Sequence, residues 1–189
     1  MIKDKLKKLR TGIEIKPDIL ENQAKKVYLS IGSNLGRKKF NIERAIFLLQ
    51  TSSLVNIRKI SSYYKTDSWP DNTMPFFLNI VIEVKTKLSP LDLFKFIKHI
   101  EKTLGRKKAP KNYPRKCDID ILDYAQKKIK LTLNNDKIII PHLRLHERNF
   151  VLLPLFEISK DWIHPVSSKR IAKLIESLKL DNLRSINIM

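Results

Sequence analysis

The sequence contains one cysteine, Cys117, among 189 residues, which excludes a disulfide within the chain and a metal cage of several thiolates. Such sparse cysteine use is usual in a reducing compartment, so we expect a cytoplasmic protein. There is no apolar run of 18 or more residues, and the first 26 residues lack the apolar centre of a secretory signal. We therefore expect neither a transmembrane helix nor a membrane partner.

The two common phosphate-binding glycine motifs are also missing. The chain has four glycines in all, and they form neither G-x-x-x-x-G-K-[ST] nor G-x-G-x-x-G. Neither a Ser-His-Asp or Cys-His arrangement nor the Cys/His spacing of a zinc site is apparent. A protein of this sequence that binds phosphate must hold it by other means.

Acidic residues are scarce, with 19 Asp and Glu against 38 Lys and Arg and a net charge of +19. This excess predicts a polyanionic partner, which can be a phosphorylated small molecule, a nucleic acid or an acidic membrane surface. A lysine-rich surface without a specific role is the other interpretation. The hydrophobic fraction of 42% is typical of a globular chain of one domain.

Periodicity predicts the order strand, helix, strand, strand, helix, strand. The predicted elements are a strand at Val27–Ile31, a helix at 41–50, extended chain at 54–66, a strand at 76–86, a helix at 89–105, a strand around Asp118 and Asp120, a hairpin at 127–140, a loop and then a short helix within 141–158, and a last helix within 167–180 capped by Ser167 or Ser168. Ser89, Pro90 and Gly105 suit the two ends of the second helix. The order favours an α+β, ferredoxin-like antiparallel sheet with two helices packed on one side.

The charged segment 1–26 predicts a flexible N-terminal extension, and residues 27–189 the domain itself. The extension is either a separate, partly helical appendage, or it packs on the domain or mediates a dimer contact. We expect a monomer, with the dimer as the alternative.

Two aspartates, Asp118 and Asp120, alternate with apolar residues in "RKCDIDIL". Residues i and i+2 of a strand share a face, so the two carboxylates should stand side by side with apolar groups behind them. Like charges this close repel unless a cation lies between them, and divalent Mg²⁺ prefers carboxylate oxygens. Surface ion pairs with neighbouring lysines are an equally open interpretation.

A basic loop precedes the aspartates and contains Arg106, Lys107, Lys108, Lys111 and Arg115. A metal flanked by cations suits a polyphosphate, because the metal bridges phosphate oxygens while the cations neutralise charge. Further along, "IPHLRLHERNF" supplies His142 and Arg148; a lone histidine is more often structural. Asn79, in the apolar "FFLN", either bonds neighbouring backbone or faces a ligand ring.

Six segments together resemble one family, 6-hydroxymethyl-7,8-dihydropterin pyrophosphokinase. They are "SIGSNLG", "SSYYKT", "FFLNIVIEVKT", "IEKTLGR", "PRKCDIDIL" and "IPHLRLHERNFVLLPLFEI", in matching order from Val27 to Pro165. The resemblance implies transfer of pyrophosphate from MgATP to the hydroxymethyl group of the pterin, with release of AMP. It implies two Mg²⁺ ions held by Asp118 and Asp120.

The resemblance also implies the remaining site residues. Those implied for catalysis are Asp118, Asp120, Arg106 and Arg115. Those implied for ATP are Glu101, Lys108, Lys111, Arg115, Ile121, Ile138, Ile139, His142 and Arg148. Those implied for the pterin are Gly32, Thr66, Trp69, Phe77, Asn79 and Phe150, with Asn79 reading the edge of the ring and Phe150 stacking on it.

The sequence departs from the family pattern in the basic loop. Asn112 and Tyr113 stand where the family has Trp-Gly, and Lys107 or Lys108 replaces a second arginine. A homologue that binds pterin without activity is therefore one alternative. A ferredoxin-like RNA-binding module is another, although the RNA-recognition signature is absent and we expect no nucleic-acid partner.

Overall fold

The structure is a computed structural model that describes residues 23–68, 73–106, 113–133 and 136–189. The elements follow in the order β1 (Lys25–Ser33), α1 (Lys38–Gln50), β2 (Val55–Ile60), β3 (Tyr64–Thr66), β4 (Phe77–Thr86), α2 (Pro90–Thr103), β5 (Asp118–Tyr124), β6 (Ile129–Leu133), β7 (Asp136–Ile140), α3 (Asn149–Ile158), α4 (Ile171–Glu176), α5 (Leu180–Arg184) and β8 (Ile186–Ile188). A single 3-10 turn at Leu145–Glu147 precedes α3.

Six strands form one sheet, in the spatial order β5-β1-β4-β3-β8, and β2 also pairs with β4. Every pairing in this sheet is antiparallel. Strands β6 and β7 form a separate two-stranded sheet. The predicted antiparallel sheet is confirmed, and its centre is β1 and β4, the two longest apolar strands.

One face of the sheet packs against α1 and α2. Val27, Leu29 and Ile31 of β1 are wholly buried there, in a cluster that includes Ile42 of α1 and Ile97 of α2. Alternate residues of a strand share a face, so the period of two in β1 meets the helical period in α1 and α2. This side of the fold agrees with the two helices that the sequence predicted.

The opposite face is partly covered by α3 and α4. Tyr28, Val81 and Leu122 point to this side and form a second cluster with Leu152 of α3 and Ile171 of α4. Helices therefore lie on both faces of the sheet, and the second layer was not predicted. Arg148, the residue before α3, pairs with Asp120 of β5 on this face, and the Asp120 side chain stays 35% exposed.

The predicted ends of the second helix are confirmed. Ser89 caps α2, with its hydroxyl oxygen accepting a hydrogen bond from the backbone N–H of Asp92 at 3.2 Å. Pro90 is the first helical residue, where its missing N–H removes no helical bond. Gly105 follows the helix with a φ of +87°, a conformation that costs glycine little.

Other boundaries differ from the prediction. Strand β1 begins at Lys25, two residues before Val27. The prediction of a last helix capped by Ser167 or Ser168 is wrong, because α4 begins after Arg170 and ends at Glu176. Instead, the Ser168 N–H donates to the His164 carbonyl at 2.9 Å and closes a turn.

Strand β8 was not predicted either.

Within the described residues, none of the helices combines the length and apolar character needed to cross a bilayer.

Candidate active site

The register of the three central strands brings the candidate residues onto one face. Asp118 on β5 lies opposite Gly32 on β1, and Gly32 lies opposite Asn79 on β4. Asp120 lies opposite Ser30 in the same way. Directly opposed residues point to the same face, and neighbouring strands are about 4.8 Å apart. The carboxylates and the Asn79 amide are therefore separated by a single strand, or about 10 Å.

The two carboxylates share the open face, as the alternation predicted. Ile119 and Ile121 point the other way into the main core, where they are 2% and 8% exposed. The side chains of Asp118 and Asp120 keep 29% and 35% of their surface exposed. Both carboxylates can thus be reached by a ligand.

Three arginines from separate segments hold the carboxylate pair. Asp118 accepts hydrogen bonds from the guanidinium groups of Arg106 at 2.8 Å and Arg115 at 3.1 Å. Asp120 accepts one from Arg148 at 3.4 Å. Arginine also binds phosphate oxygens in a bidentate manner. A phosphate chain carrying cations would give the arginines and the carboxylates new partners at the same time.

The charges around Asp118 set its protonation. Burial raises the pKa of the Asp118 carboxyl, but the charges of Arg115 and Arg106 outweigh this and hold the pKa below its ordinary value. Asp118 is therefore an anion at neutral pH.

Glu101 lies behind this pair and is wholly buried. It accepts hydrogen bonds from the Ile119 N–H at 2.8 Å and from the Lys98 ammonium at 2.9 Å, and it forms an ion pair with Arg106. Burial raises the pKa of Glu101, while the Lys98 charge opposes the shift. Glu101 thus fixes both the start of β5 and the position of Arg106.

The donor set fits magnesium bound together with phosphate. In the described part of the chain, no group of three or more His, Cys, Asp or Glu side chains could hold a metal ion. Asp118 and Asp120 offer hard carboxylate oxygens, and Mg²⁺ commonly takes one or two carboxylates with its other ligands from phosphate and water. A metal held by this pair would take its remaining ligands from water or from a phosphate-bearing ligand.

His142 lies beside the carboxylates as an uncharged group. Its Nδ1 accepts a hydrogen bond from the Arg144 N–H at 3.1 Å, so the neutral ring carries its proton on Nε2. Burial and the charge of Arg148 lower its pKa, although the negative charge of Asp120 opposes them. At neutral pH, His142 can donate a hydrogen bond through Nε2.

Three of the residues expected to hold the pterin lie close to a fourth, Asn79. The Asn79 Nδ2 donates to the Thr66 hydroxyl at 3.0 Å, which orients its Oδ1 towards Gly32. A Cβ on Gly32 would lie 2.7 Å from that Oδ1 and 3.7 Å from the Phe77 ring. Thr66, Phe77, Asn79 and Gly32 are thus in mutual proximity, and Gly32 leaves room that another residue would fill.

The structure describes some of the remaining predicted residues but not others. Phe150 lies at the start of α3, with the Arg148 guanidinium 5.5 Å from the centre of its ring. Ile121 and Ile138 point into the core, whereas Ile139 is half-buried. Trp69, Lys107, Lys108, Lys111 and Asn112 lie outside the described residues. Tyr113, just after them, is 55% exposed.

One buried polar residue of this region was not singled out from the sequence. Asn34 is 1% exposed, and its Oδ1 accepts from the Arg115 N–H at 2.8 Å. Its own N–H donates to the Arg115 carbonyl at 3.2 Å, and its Nδ2 to the Pro75 carbonyl at 3.4 Å. The same Pro75 carbonyl accepts from the Ser68 hydroxyl at 2.7 Å. The signal in the sequence that could have pointed to Asn34 is the Gly-Ser-Asn turn after the first predicted strand.

The chain is similar to known proteins in sequence and in fold. The model of the 7,8-dihydro-6-hydroxymethylpterin-pyrophosphokinase family matches residues 28–160. A curated 2-amino-4-hydroxy-6-hydroxymethyldihydropteridine pyrophosphokinase of Bacillus subtilis is 37% identical over 131 residues, covering 69% of this chain and 76% of that protein. Its counterpart from Aquifex aeolicus is 40% identical over 143 residues, covering 76% and 86%.

A solved structure supports the fold alone. The crystal structure of wild-type Plasmodium falciparum HPPK-DHPS aligns with a TM-score of 0.66 at 17% identity, over 82% of this chain and 44% of that one. The family match spans most of the chain, and the curated relatives exceed 30% identity over most of their own length. The chain therefore belongs to the 7,8-dihydro-6-hydroxymethylpterin-pyrophosphokinase family.

Proposed function

We propose that this protein transfers pyrophosphate from MgATP to the hydroxymethyl group of 6-hydroxymethyl-7,8-dihydropterin, giving the pterin diphosphate and AMP in folate biosynthesis. Family membership and the names of the curated relatives support this activity. The observation that carries the proposal is the row Asp118–Gly32–Asn79, which joins a carboxylate–arginine cluster to an amide-lined recess on one face of the sheet.

The nucleotide occupies the side of β5 in this proposal. Asp118 and Asp120 would hold two Mg²⁺ ions, which would polarise the phosphate oxygens when bound. Arg106, Arg115 and Arg148 leave the carboxylates and bind the phosphate chain. His142 donates from Nε2 to a phosphate oxygen, and Glu101 keeps Arg106 directed towards the chain from beneath. Residues Lys108, Lys111, Ile121, Ile138 and Ile139 are proposed as further ATP contacts.

The pterin occupies the side of β4 and β3. Asn79, already oriented by Thr66, reads the hydrogen-bonding edge of the ring. Phe77 and Phe150 supply the flat apolar surfaces that a heterocycle needs. Gly32 leaves the space in which the ring approaches the β1 backbone, and Trp69 is proposed as a further contact.

The reaction itself requires little covalent chemistry from the protein. The pterin hydroxyl oxygen attacks the β-phosphorus of ATP and gives up its proton to water, the bond from that phosphorus to the α-phosphate oxygen breaks, and AMP leaves. Catalysis by these residues is positioning of the two substrates across β1 together with neutralisation of the phosphate charge. The separation of about 10 Å between the two halves accommodates the phosphate chain between them.

We also propose the finer features that the sequence predicts. These are a ferredoxin-like arrangement of β1, α1, β2, β4, α2 and β5, an N-terminal extension at residues 1–26 before a domain at 27–189, a monomeric cytoplasmic protein, and no nucleic-acid or membrane partner. The antiparallel sheet with α1 and α2 on one face supports the first of these.

The identity of the nucleotide product tests the function. Purified protein supplied with Mg²⁺, ATP and 6-hydroxymethyl-7,8-dihydropterin should release AMP in equal amount to pterin diphosphate, as resolved by ³¹P NMR. Accumulation of ADP would show a different phosphoryl transfer. Binding of pterin without turnover would identify the inactive homologue. The RNA-binding alternative draws no support from the family match, and tight RNA binding at physiological salt would revive it.

A further inference from the structure

The C-terminal segment, residues 180–189, lies beyond residue 160, where the family match ends. Its strand β8 pairs with β3, placing Ile186 opposite Thr66 and Ile188 opposite Tyr64. The Met189 N–H also donates to the Tyr63 carbonyl at 2.9 Å. Strand β3 is three residues long and carries Thr66, the hydrogen-bond partner of Asn79. Strand β8 therefore supports β3 along the edge that β4 does not occupy.

The same segment contacts the start of α3. Asn149, the first residue of α3, is 8% exposed, and its Nδ2 donates to the Asn182 carbonyl and, at 3.2 Å, to the Ser185 hydroxyl. Its Oδ1 accepts from the Phe150 N–H at 2.6 Å. The side-chain amide of Asn149 thus links the C-terminal segment to the backbone of the next residue, Phe150. Movement of either partner would be transmitted to Phe150 through this link.

The C-terminal segment adds little to either core. Neither buried cluster contains a residue from 180–189, and α5 buries no side chain. Asn187 and Ile188 are exposed. The contacts of the segment nevertheless fall on the two elements that carry Thr66 and Phe150. A segment that buries little yet bonds to both β3 and the start of α3 serves to position these two elements.

We propose that residues 180–189 are a positioning element for the pterin side of the active site, holding Thr66 and Phe150 at the separation that admits the ring. The inference rests on the proposed function and adds a determinant that lies outside the family match. The proposal gives the segment no contact with the nucleotide. No described hydrogen bond or strand pair joins the segment to β5 or to the three arginines that pair with its aspartates, Arg106, Arg115 and Arg148.

The test removes one backbone donor from β8. Hydrogen-bonded and non-bonded pairs alternate in an antiparallel ladder, so the Met189–Tyr63 bond makes Asn187–Lys65 the next bonded pair. Asn187→Pro removes the N–H of that pair, whereas Asn187→Ala at the same exposed position keeps it. Both variants are made in the full chain, and dissociation constants for pterin and for MgATP are measured by calorimetry.

We expect Asn187→Pro to weaken pterin binding roughly three- to tenfold, the effect of one lost hydrogen bond, with MgATP binding within twofold of wild type. Asn187→Ala should match wild type for both ligands. Equal pterin affinity in all three proteins would overturn the inference, and so would a parallel loss of both ligands. Absence of pterin binding in wild type would instead contradict the proposed function.

A second variant acts on the other contact. Asn149→Leu removes the donors to Asn182 and Ser185 while keeping the size of the side chain. The variant also removes the Oδ1 that accepts from the Phe150 N–H, so faster exchange at Phe150 is expected in any case. The informative readout is amide hydrogen exchange at Tyr64–Thr66, which should rise because the segment bonds to β3 as well. An increase confined to Phe150 would show that α3 and β3 are not linked through residues 180–189, and would overturn the inference even if the proline variant failed to fold.

Discussion

Asn34 and Arg115, 81 positions apart in the chain, exchange two hydrogen bonds: the Arg115 N–H donates to Asn34 Oδ1 at 2.8 Å, and the Asn34 N–H donates to the Arg115 carbonyl at 3.2 Å. The Nδ2 of the same amide reaches the Pro75 carbonyl at 3.4 Å. One buried side chain therefore ties the backbone of a carboxylate-binding arginine to the loop that leads into β4. The two halves of the site are joined at their base by Asn34.

Replacing this amide should damage the reaction more than the fold. Asn34→Ala leaves the Arg115 N–H without its partner, so we expect a loss of about 1–3 kcal/mol in unfolding free energy. Because Arg115 is then free to shift, kcat/KM should fall roughly 10- to 100-fold. Ser68→Ala is the matched control, since it removes the other donor to the Pro75 carbonyl and leaves Arg115 in place. Equal losses of kcat/KM in both variants would argue against a role through Arg115.

Substitution of the two aspartates should affect the unfolding free energy differently and kcat similarly. Asp120→Asn removes one ion pair of 3.4 Å, so its unfolding free energy should change by less than about 1 kcal/mol. Asp118→Asn should cost more, because Asp118 accepts from both Arg106 and Arg115. Both should lower kcat roughly 10²- to 10³-fold, measured as AMP release over a Mg²⁺ titration.

A surface carboxylate provides the control for that pair. Glu176, on α4, pairs with Lys173 at 2.8 Å and is 61% exposed, and no described hydrogen bond or ion pair joins it to the aspartates or their arginines. Glu176→Gln should leave kcat and its Mg²⁺ dependence unchanged. Substantial activity in Asp120→Asn would remove this carboxylate from the metal site.

Gly32→Ala should weaken the binding of pterin and leave the binding of MgATP unchanged. The added Cβ would lie 2.7 Å from the Asn79 Oδ1, so Asn79 must move out of its bond with Thr66. We expect pterin affinity to fall about tenfold or more while MgATP affinity is kept, as calorimetry would show. Gly36→Ala is the comparison, because its φ of +67° imposes strain on alanine where no atom lies within 4 Å of the new Cβ. A similar pterin loss in Gly36→Ala would point to general destabilisation instead.

The pH dependence of stability should report on His142. Its pKa in the folded protein lies below the ordinary value, first because of burial and then because of the Arg148 charge. The unfolded chain therefore binds a proton more readily as pH falls below about 6.5, and the stability that neutral His142 confers is present above that pH and declines below it. Urea unfolding of wild type and His142→Asn should give a constant difference above pH 7.

Below pH 6.5, the advantage of wild type over His142→Asn should shrink. An advantage that grows as the pH falls would mean that folding raises the pKa of His142, contrary to its position beside Arg148. An NMR titration of the ring protons gives the midpoint directly.

Several features of this fold could be read from local sequence because they depend on local geometry. The period of two in β5 placed Asp118 and Asp120 on one face, and the Ser89, Pro90 and Gly105 signals marked the ends of α2. Each is a property of a few consecutive residues. The prediction that Ser167 or Ser168 caps the last helix failed because Ser168 has a φ of +56° and its N–H bonds to the carbonyl of His164, which closes a turn before α4 begins at Ile171.

The chain alone determined which side chains are available, in what order they come and which face of its own strand each one takes, because the backbone periods of strands and helices are intrinsic. The tertiary structure determined which of these side chains lie next to one another. Asp118 meets Asn79 across Gly32, Asn34 reaches Arg115, and β8 supports β3 only because particular strands pair in a particular register. Such pairing depends on burying apolar faces from distant segments together, and no short stretch of sequence contains that information.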